Sequence, residues 1–226
     1  MLISSYYETH SVAKAVADGR HRDIIGGLWE ELGRLQLEFL IQHGLKPHMR
    51  LLDIGCGCLR AGVKLVAFLE PGKYYGIDMN RELVDAGYQV ELAQAGLQGR
   101  LPRSNLVVDA EFDFSKFQQI FDVAIAQSLF THLPLNHIRL CLRRLAPKLV
   151  DGGVLFATFF QCPEEEDVTA PRTHFPGEIT TFTAKDPYHY KFSDLEYCAR
   201  NSPWQLTLIG DWTHPRGQMM CQFTKV

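Results

Sequence analysis

The 226-residue sequence lacks the features that mark several large protein classes. No apolar run is long enough to span a bilayer. Glu8, His10, Asp18 and Arg20 interrupt the first twenty residues, which leaves neither a signal-peptide core nor a transit-peptide composition. There is no basic tail or block, and a net charge of −3 is spread over both signs, which argues against broad electrostatic capture of nucleic acid or anionic membrane. Cysteine is sparse. Cys56, Cys58, Cys141, Cys162, Cys198 and Cys221 are scattered rather than arranged as a secreted disulfide framework, so a reducing cytoplasm is expected. No second Cys/His pair with zinc-ligand spacing lies near Cys56 and Cys58, which read as small residues in a crowded turn. Internal repeats, low-complexity tracts and dividing linkers are also missing, so one domain is the expectation.

What is present begins at Leu51-Leu52-Asp53-Ile54-Gly55-Cys56-Gly57, an apolar strand running through an acid into a glycine turn, with Asp78 closing the next strand. Glycines let backbone approach a ligand where a Cβ would clash, and an acid about 20 residues on suits a ribose hydroxyl pair. A dinucleotide fingerprint would place a third glycine at position 60, but Arg60 stands there and the next glycine is Gly62. S-adenosylmethionine has no phosphates and carries an ammonium and a sulfonium. Asp53 and Asp78 suit those charges, and the turn amides can face its carboxylate. The bland alternative is a strand-to-helix turn in an α/β domain without a ligand.

Apolar spacing through Ile24, Leu28, Leu32, Leu35, Phe39 and Leu40 predicts one amphipathic helix from Asp23 to His43. Strands are expected at Arg50 to Ile54, Tyr74 to Ile77, Asn105 to Val108, Phe121 to Ala126 and Val154 to Phe159. Helices from about Leu59, from Arg81 and through His137 alternate with them. Such alternation implies a parallel sheet covered on both faces. Pro163, the run Glu164-Glu165-Glu166-Asp167, Pro171 and Pro176 then break all periodicity until Tyr190, and a stretch that long is either a binding loop or a connector. A serine-capped helix from Ser193 and two strands, Trp204 to Ile209 and Gly217 to Phe223, close the chain.

In motif order the chain resembles the class I S-adenosylmethionine-dependent methyltransferases from about Trp29 to its end. Leu51 to Gly57 is similar to their first motif, Tyr75-Gly76-Ile77-Asp78-Met79 to the second, Val108-Asp109-Ala110-Glu111 to the third, and Phe121 to His132 to the fourth. Asp151-Gly152-Gly153 matches the turn into their fifth strand. The resemblance implies a Rossmann-like α/β fold with a seven-stranded sheet in the order 3-2-1-4-5-7-6, the last strand antiparallel. It implies that residues 1–45 form a helical cap, 46–160 the cofactor-binding core, 161–191 a substrate-side excursion, and 192–226 a final helix and hairpin. By position, Asp53 would orient the methionine ammonium, Gly55, Cys56 and Gly57 would admit the cofactor, and Asp78 would accept the ribose hydroxyls. Met79 would lie on the adenine, Asp109 and Ala110 would bond its edge, and Gln127 would meet the methionine end. Arg60, at a helix start, needs an anion: the cofactor carboxylate or an acid such as Asp53. Trp29 and Tyr7 are lid candidates, with simple core packing as the alternative.

Methyl transfer is an in-line displacement, so the protein must align nucleophile, methyl and sulfur and exclude water. A hydroxyl nucleophile calls for a general base, and His132, His189 and His214 are the candidates, His132 with a structural hydrogen bond as its competing role. Phe160, Tyr188, Tyr190 and Trp212 are the substrate-wall candidates. The fourth strand ends in Ala126-Gln127-Ser128, without the acids of metal-dependent methylation, so no divalent ion is implied. The expected activity is metal-independent methylation of an O or N atom on a small metabolite, a flat aromatic one included. A non-catalytic donor-binding sensor or assembly subunit, and a methyltransferase acting on RNA or protein, are the alternatives.

Overall fold

The computed structural model describes residues 9–226. The Tyr7 expectation lies outside them. The chain forms two compact units, one running through Val123 and the other from Ala124 to Val226.

In the first unit, α1 (Thr9–Ala17), α2 (His21–Ile24) and α3 (Trp29–Gln42) precede β1 (Leu51–Ile54). The single helix expected over 23–43 is broken. Gly26, Gly27 and Leu28 all take left-handed backbone angles, φ 81°, 62° and 50°, so the chain turns out of α2 before α3 begins. The apolar spacing runs on through the break, which is why periodicity did not reveal it. Then follow α4 (Gly62–Phe68), β2 (Tyr74–Asp78), α5 (Arg81–Ala86), a π-helical turn at Gly87–Glu91, α6 (Leu92–Gln94) and β3 (Leu106–Val108). Asn80 caps α5 by accepting from the Leu83 amide at 3.2 Å. β1 pairs parallel with β2, Asp53 opposite Gly76, and β2 pairs parallel with β3. All four β1 residues are buried, as a strand covered on both faces requires.

β4 (Phe121–Ala126) leads into the second unit, where α7 (Leu135–Leu145) buries Ile138, Cys141, Leu142 and Leu145 at helical spacing. β5 (Leu149–Gln161) runs well beyond the expected strand at both ends. The excursion holds structure that composition hid: a small antiparallel hairpin of β6 (Arg172–His174) and β7 (Ile179–Thr181), then β8 (His189–Tyr190), which pairs parallel with β5. The last helix, α8 (Phe192–Ala199), starts one residue before the expected serine cap. Lys191 is its N-cap, with the backbone amide bonded to the Asp194 carboxylate at 2.9 Å, while Ser193 bonds Glu164. β9 (Trp204–Asp211) and β10 (Met219–Lys225) form the expected hairpin, and β10 runs antiparallel to β5. The main sheet has the order β3-β2-β1-β4-β5-β10-β9 with β8 added beside β5. Counted along its principal path, this is 3-2-1-4-5-7-6, the eighth strand being the addition.

Candidate functional site

In the first unit the glycine turn is held by the end of β2. Gly55 and Cys56 both donate their backbone amides to the Ile77 carbonyl, at 2.8 and 3.2 Å, and Gly57 donates to Asp78 Oδ2 at 2.8 Å. The expectation that these amides face a ligand carboxylate is therefore corrected: β2 engages all three. What the turn offers is close approach. Gly57 has φ 52°, and a Cβ there would stand 2.9 Å from Ile25 Cγ2.

Asp78 is partly exposed, and its Oδ1 accepts from the Asn80 amide at 2.8 Å. Burial pushes its carboxyl up, against the pull of the Asn80, Gly57 and Met79 amides. Each carboxylate oxygen has two lone pairs, so these amides leave the carboxylate capacity to accept from vicinal hydroxyls. Met79 follows, partly exposed. Asp53 is 5% exposed and accepts from the buried Tyr74 hydroxyl at 2.7 Å. Burial raises its carboxyl to about 7, with the Tyr74 bond opposing.

Arg60 Nη1 donates to the carbonyls of Ile25 and Gly27 at 3.0 and 2.9 Å. Arg60 thus ties down the turn between α2 and α3, and its charge also acts on the Asp53 carboxyl, pulling it down. Cys58 points its thiol at the His21 carbonyl, 3.7 Å away. Farther back, Glu91 accepts from Arg22 through both oxygens at 2.7 Å and meets His21 Nε2 at 2.6 Å. Trp29 packs with Ile24 and Ile25 against Val12, Cys58 and Leu83, and Arg22 lies 4.3 Å above its ring. This strap over the glycine turn was invisible in the sequence, because its contacts join residues 33 to 70 positions apart.

Asp109 departs from the expected adenine contact. Its Oδ1 accepts from the amides of Glu111 and Asp113 at 2.8 and 2.9 Å, and Oδ2 takes Lys116 Nζ at 2.6 Å. The carboxylate organises its own turn. Ala110, beside it, is exposed.

The second unit gathers the three histidines into three separate settings. His214 is 2% exposed, and its Nδ1 accepts from the Arg216 amide at 3.1 Å, so the ring proton sits on Nε2. That nitrogen lies 3.1 Å from the Gln127 amide end, and two donors would face each other unless Gln127 turns its oxygen to the ring. Ser128, Thr158 and Gln218 extend the network. His189 is 1% exposed. Its Nε2–H donates to the Val168 carbonyl at 2.8 Å, so Nδ1 accepts from the Thr181 hydroxyl at 2.7 Å, and Thr181 in turn accepts from His174 Nε2 at 2.8 Å. Burial first, then His189 and Arg172, lowers His174 to about 4. Both ring nitrogens of His189 and of His214 are engaged, which corrects the reading of either as a proton acceptor.

His132 differs. Its side chain is 27% exposed, and Nδ1 lies 2.5 Å from Asp186 Oδ1. The aromatic wall candidates pack inward instead of lining an opening. Tyr190 donates its hydroxyl to the Leu133 carbonyl, the Trp212 indole N–H donates to the Gln218 carbonyl at 3.0 Å, and Phe160 lies against the His174 ring. Tyr188 stacks on Tyr190 with centroids 6.1 Å apart, and all four are 7% exposed or less. Among the described residues no cluster of His, Cys, Asp and Glu could hold a metal ion, and no helix is long and apolar enough to cross a membrane.

Residues 52–155 match a family model described as a methyltransferase domain. The fold is similar to magnesium protoporphyrin IX methyltransferase from Synechocystis PCC 6803, solved with bound SAM: TM-score 0.63, 14% identity, covering 96% of this chain and 97% of that one. A putative O-methyltransferase from Nostoc punctiforme PCC 73102 superposes with TM-score 0.65 at 16% identity, over 98% of this chain and 61% of that one. A putative rRNA-methylase from Clostridium thermocellum gives TM-score 0.59 at 11% identity, over 84% of this chain and 94% of that one.

Proposed function

Because residues 52–155 match a methyltransferase domain, we propose that the chain is a class I S-adenosylmethionine-dependent methyltransferase that methylates an oxygen or nitrogen atom of a small acceptor. S-adenosylmethionine is the cofactor, and when bound it supplies a methyl carbon on a cationic sulfur. The reading rests on Asp78. Backbone amides, from Gly57 and Asn80 among them, fix its carboxylate beside the glycine turn with acceptor capacity left over. In this reading Asp78 receives the ribose hydroxyls, Met79 offers a polarizable face to the adenine, and Gly55 and Gly57 leave room for the ligand at the turn. Asp53, Cys56, Arg60 and Trp29 act from behind, by keeping the turn and its strap in place. Ala110 is retained as an adenine-edge contact through its backbone.

A small acceptor is favoured over RNA by the net charge of −3 without a basic block. Six unpaired cysteines, all buried, support a reducing compartment such as the cytoplasm. Calorimetry with S-adenosylmethionine and with S-adenosylhomocysteine tests the donor site. Both should bind the wild type, and Asp78→Ala should weaken binding at least tenfold while the thermal transition persists. Unchanged affinity in that variant would remove Asp78 from the site, and absence of binding would defeat the reading.

A further inference from the structure

β9 is the last strand of the main sheet, and one of its two edges is open. Its residues pair with β10 on one side, and among the described residues no backbone group is bonded on the other. Such an edge presents a row of N–H and C=O groups, which chains ordinarily guard with proline, charge or a bulge. From Trp204 to Gly210 there is neither a proline nor a charged side chain. The guard that exists is a bulge at the far end: Ile209 has no partner in the register with β10, and Gly210 takes φ 89°. Trp204 to Leu208 remains as a regular, neutral stretch.

Its side chains alternate. Trp204, Leu206 and Leu208 share one face of the strand, Gln205 and Thr207 the other. Exposure rises along the apolar face, from buried Trp204, whose indole donates to the Leu142 carbonyl at 3.0 Å, through half-buried Leu206 to Leu208 at 38%. Gln205 and Thr207 are both exposed. Charge returns outside the stretch, with exposed Arg200 ahead of the strand and exposed Asp211 at its end.

We infer that this edge is a self-association surface, and that its occupant is a second copy of the chain, antiparallel across a two-fold axis through Leu206. The inference goes beyond the methyltransferase reading and does not depend on it. Centring on Leu206 pairs Trp204–Leu208 with itself and leaves the bulged residue out of the ladder. Leu206 then meets Leu206, Leu208 meets Trp204 and Gln205 meets Thr207, so apolar faces apolar and polar faces polar. Beyond the ladder, Asp211 of each copy is carried toward Asn201 and Arg200 of the other. A parallel pairing would align Asp211 with Asp211 and Arg200 with Arg200, so the charges select the antiparallel copy. One patch thus supplies both halves of a closed, isologous contact. The contact is short, so the dimer dissociates on dilution.

The test is sedimentation velocity of the full chain from micromolar to hundreds of micromolar, where a reversible monomer–dimer equilibrium is expected. Two double variants at exposed positions report the register. Gln205→Lys with Thr207→Lys sets lysine against lysine in both polar pairs and should weaken dimerisation at least tenfold. Gln205→Lys with Thr207→Glu sets lysine against glutamate in the same pairs and should restore the wild-type strength or exceed it. Leu208→Lys adds a charge to the open edge and should also leave a monomer. It keeps the inference open to refutation if thermal melts show a double variant to be unfolded. A wild type that stays monomeric throughout overturns the inference, whether or not some other extended peptide adds to the edge. So does a dimer equally strong in the lysine–lysine and lysine–glutamate variants, which would assign the contact to another face.

Discussion

The Tyr74 hydroxyl donates to the Asp53 carboxylate at 2.7 Å inside the first unit, joining adjacent strands β1 and β2 just ahead of the glycine turn. Burial dominates the titration of this acid and holds its carboxyl at about 7, well above the unfolded value of about 3.9. Between those values the unfolded chain ionises while the folded one keeps its proton. The folded state therefore binds more protons, and stability contributed here falls as pH rises from about 4 to about 7. Asp53→Asn keeps an acceptor for Tyr74 and removes the titration. Its unfolding free energy relative to the wild type should rise across that window, by an amount on the order of 4 kcal/mol for a shift of this size. Urea denaturation at pH 4.5 and pH 8 measures the difference, and a constant offset between the two proteins would show that Asp53 does not titrate in this range.

Glu91 behaves oppositely. Burial works against its charge, yet Arg22 and His21 together hold the carboxyl below its ordinary value. That contribution is present above the unfolded carboxyl value and is lost as pH falls through the lower folded one. Glu91→Gln leaves two basic groups without their anion. Arg22 is 45% exposed and can rehydrate, so the cost should be about 1–3 kcal/mol, below that of a fully buried pair. Hydrogen exchange should quicken in residues 18–28 while β1 and β2 stay protected. Uniform loss of protection would show that the strap has no stability of its own to lose.

Thr181 sits at the centre of the His174–Thr181–His189 chain and is fully buried. Thr181→Val keeps the branched shape but leaves His189 Nδ1 without a donor and His174 Nε2 without an acceptor. The expected loss is about 1–3 kcal/mol, read as a lower thermal midpoint and faster exchange over 168–183. Thr181→Ser should restore most of it, and equal loss in both variants would assign the effect to packing.

The legible parts of the sequence were those that local chemistry writes into neighbouring residues. The run Leu51 to Gly57, the acid at 78 and the spacing of Ile138, Cys141, Leu142 and Leu145 each declare an element within one or two turns of chain. The break at Gly26-Gly27-Leu28 was masked because apolar residues continue at helical spacing through it. Roles decided by distant partners were out of reach. Arg60, Asp109, His189 and His214 are all residue types that suit a ligand, and only their hydrogen bonds reveal prior engagements. His132 was open between a structural and a chemical role, and the carboxylate its ring meets lies 54 positions away.

The six cysteines carry a practical consequence. All are unpaired and buried, and burial lifts the thiols of Cys58 and Cys198 to about 12 and pushes those of Cys141 and Cys221 up as well, so alkylating reagents at neutral pH meet almost no thiolate at these four until the chain opens. Cys56 and Cys58 sit at the glycine turn, while the other four lie beyond residue 140. Mass mapping of alkylation over time thus turns the natural sequence into a clock with two hands, one for each compact unit, and no engineered label is needed to read which opens first.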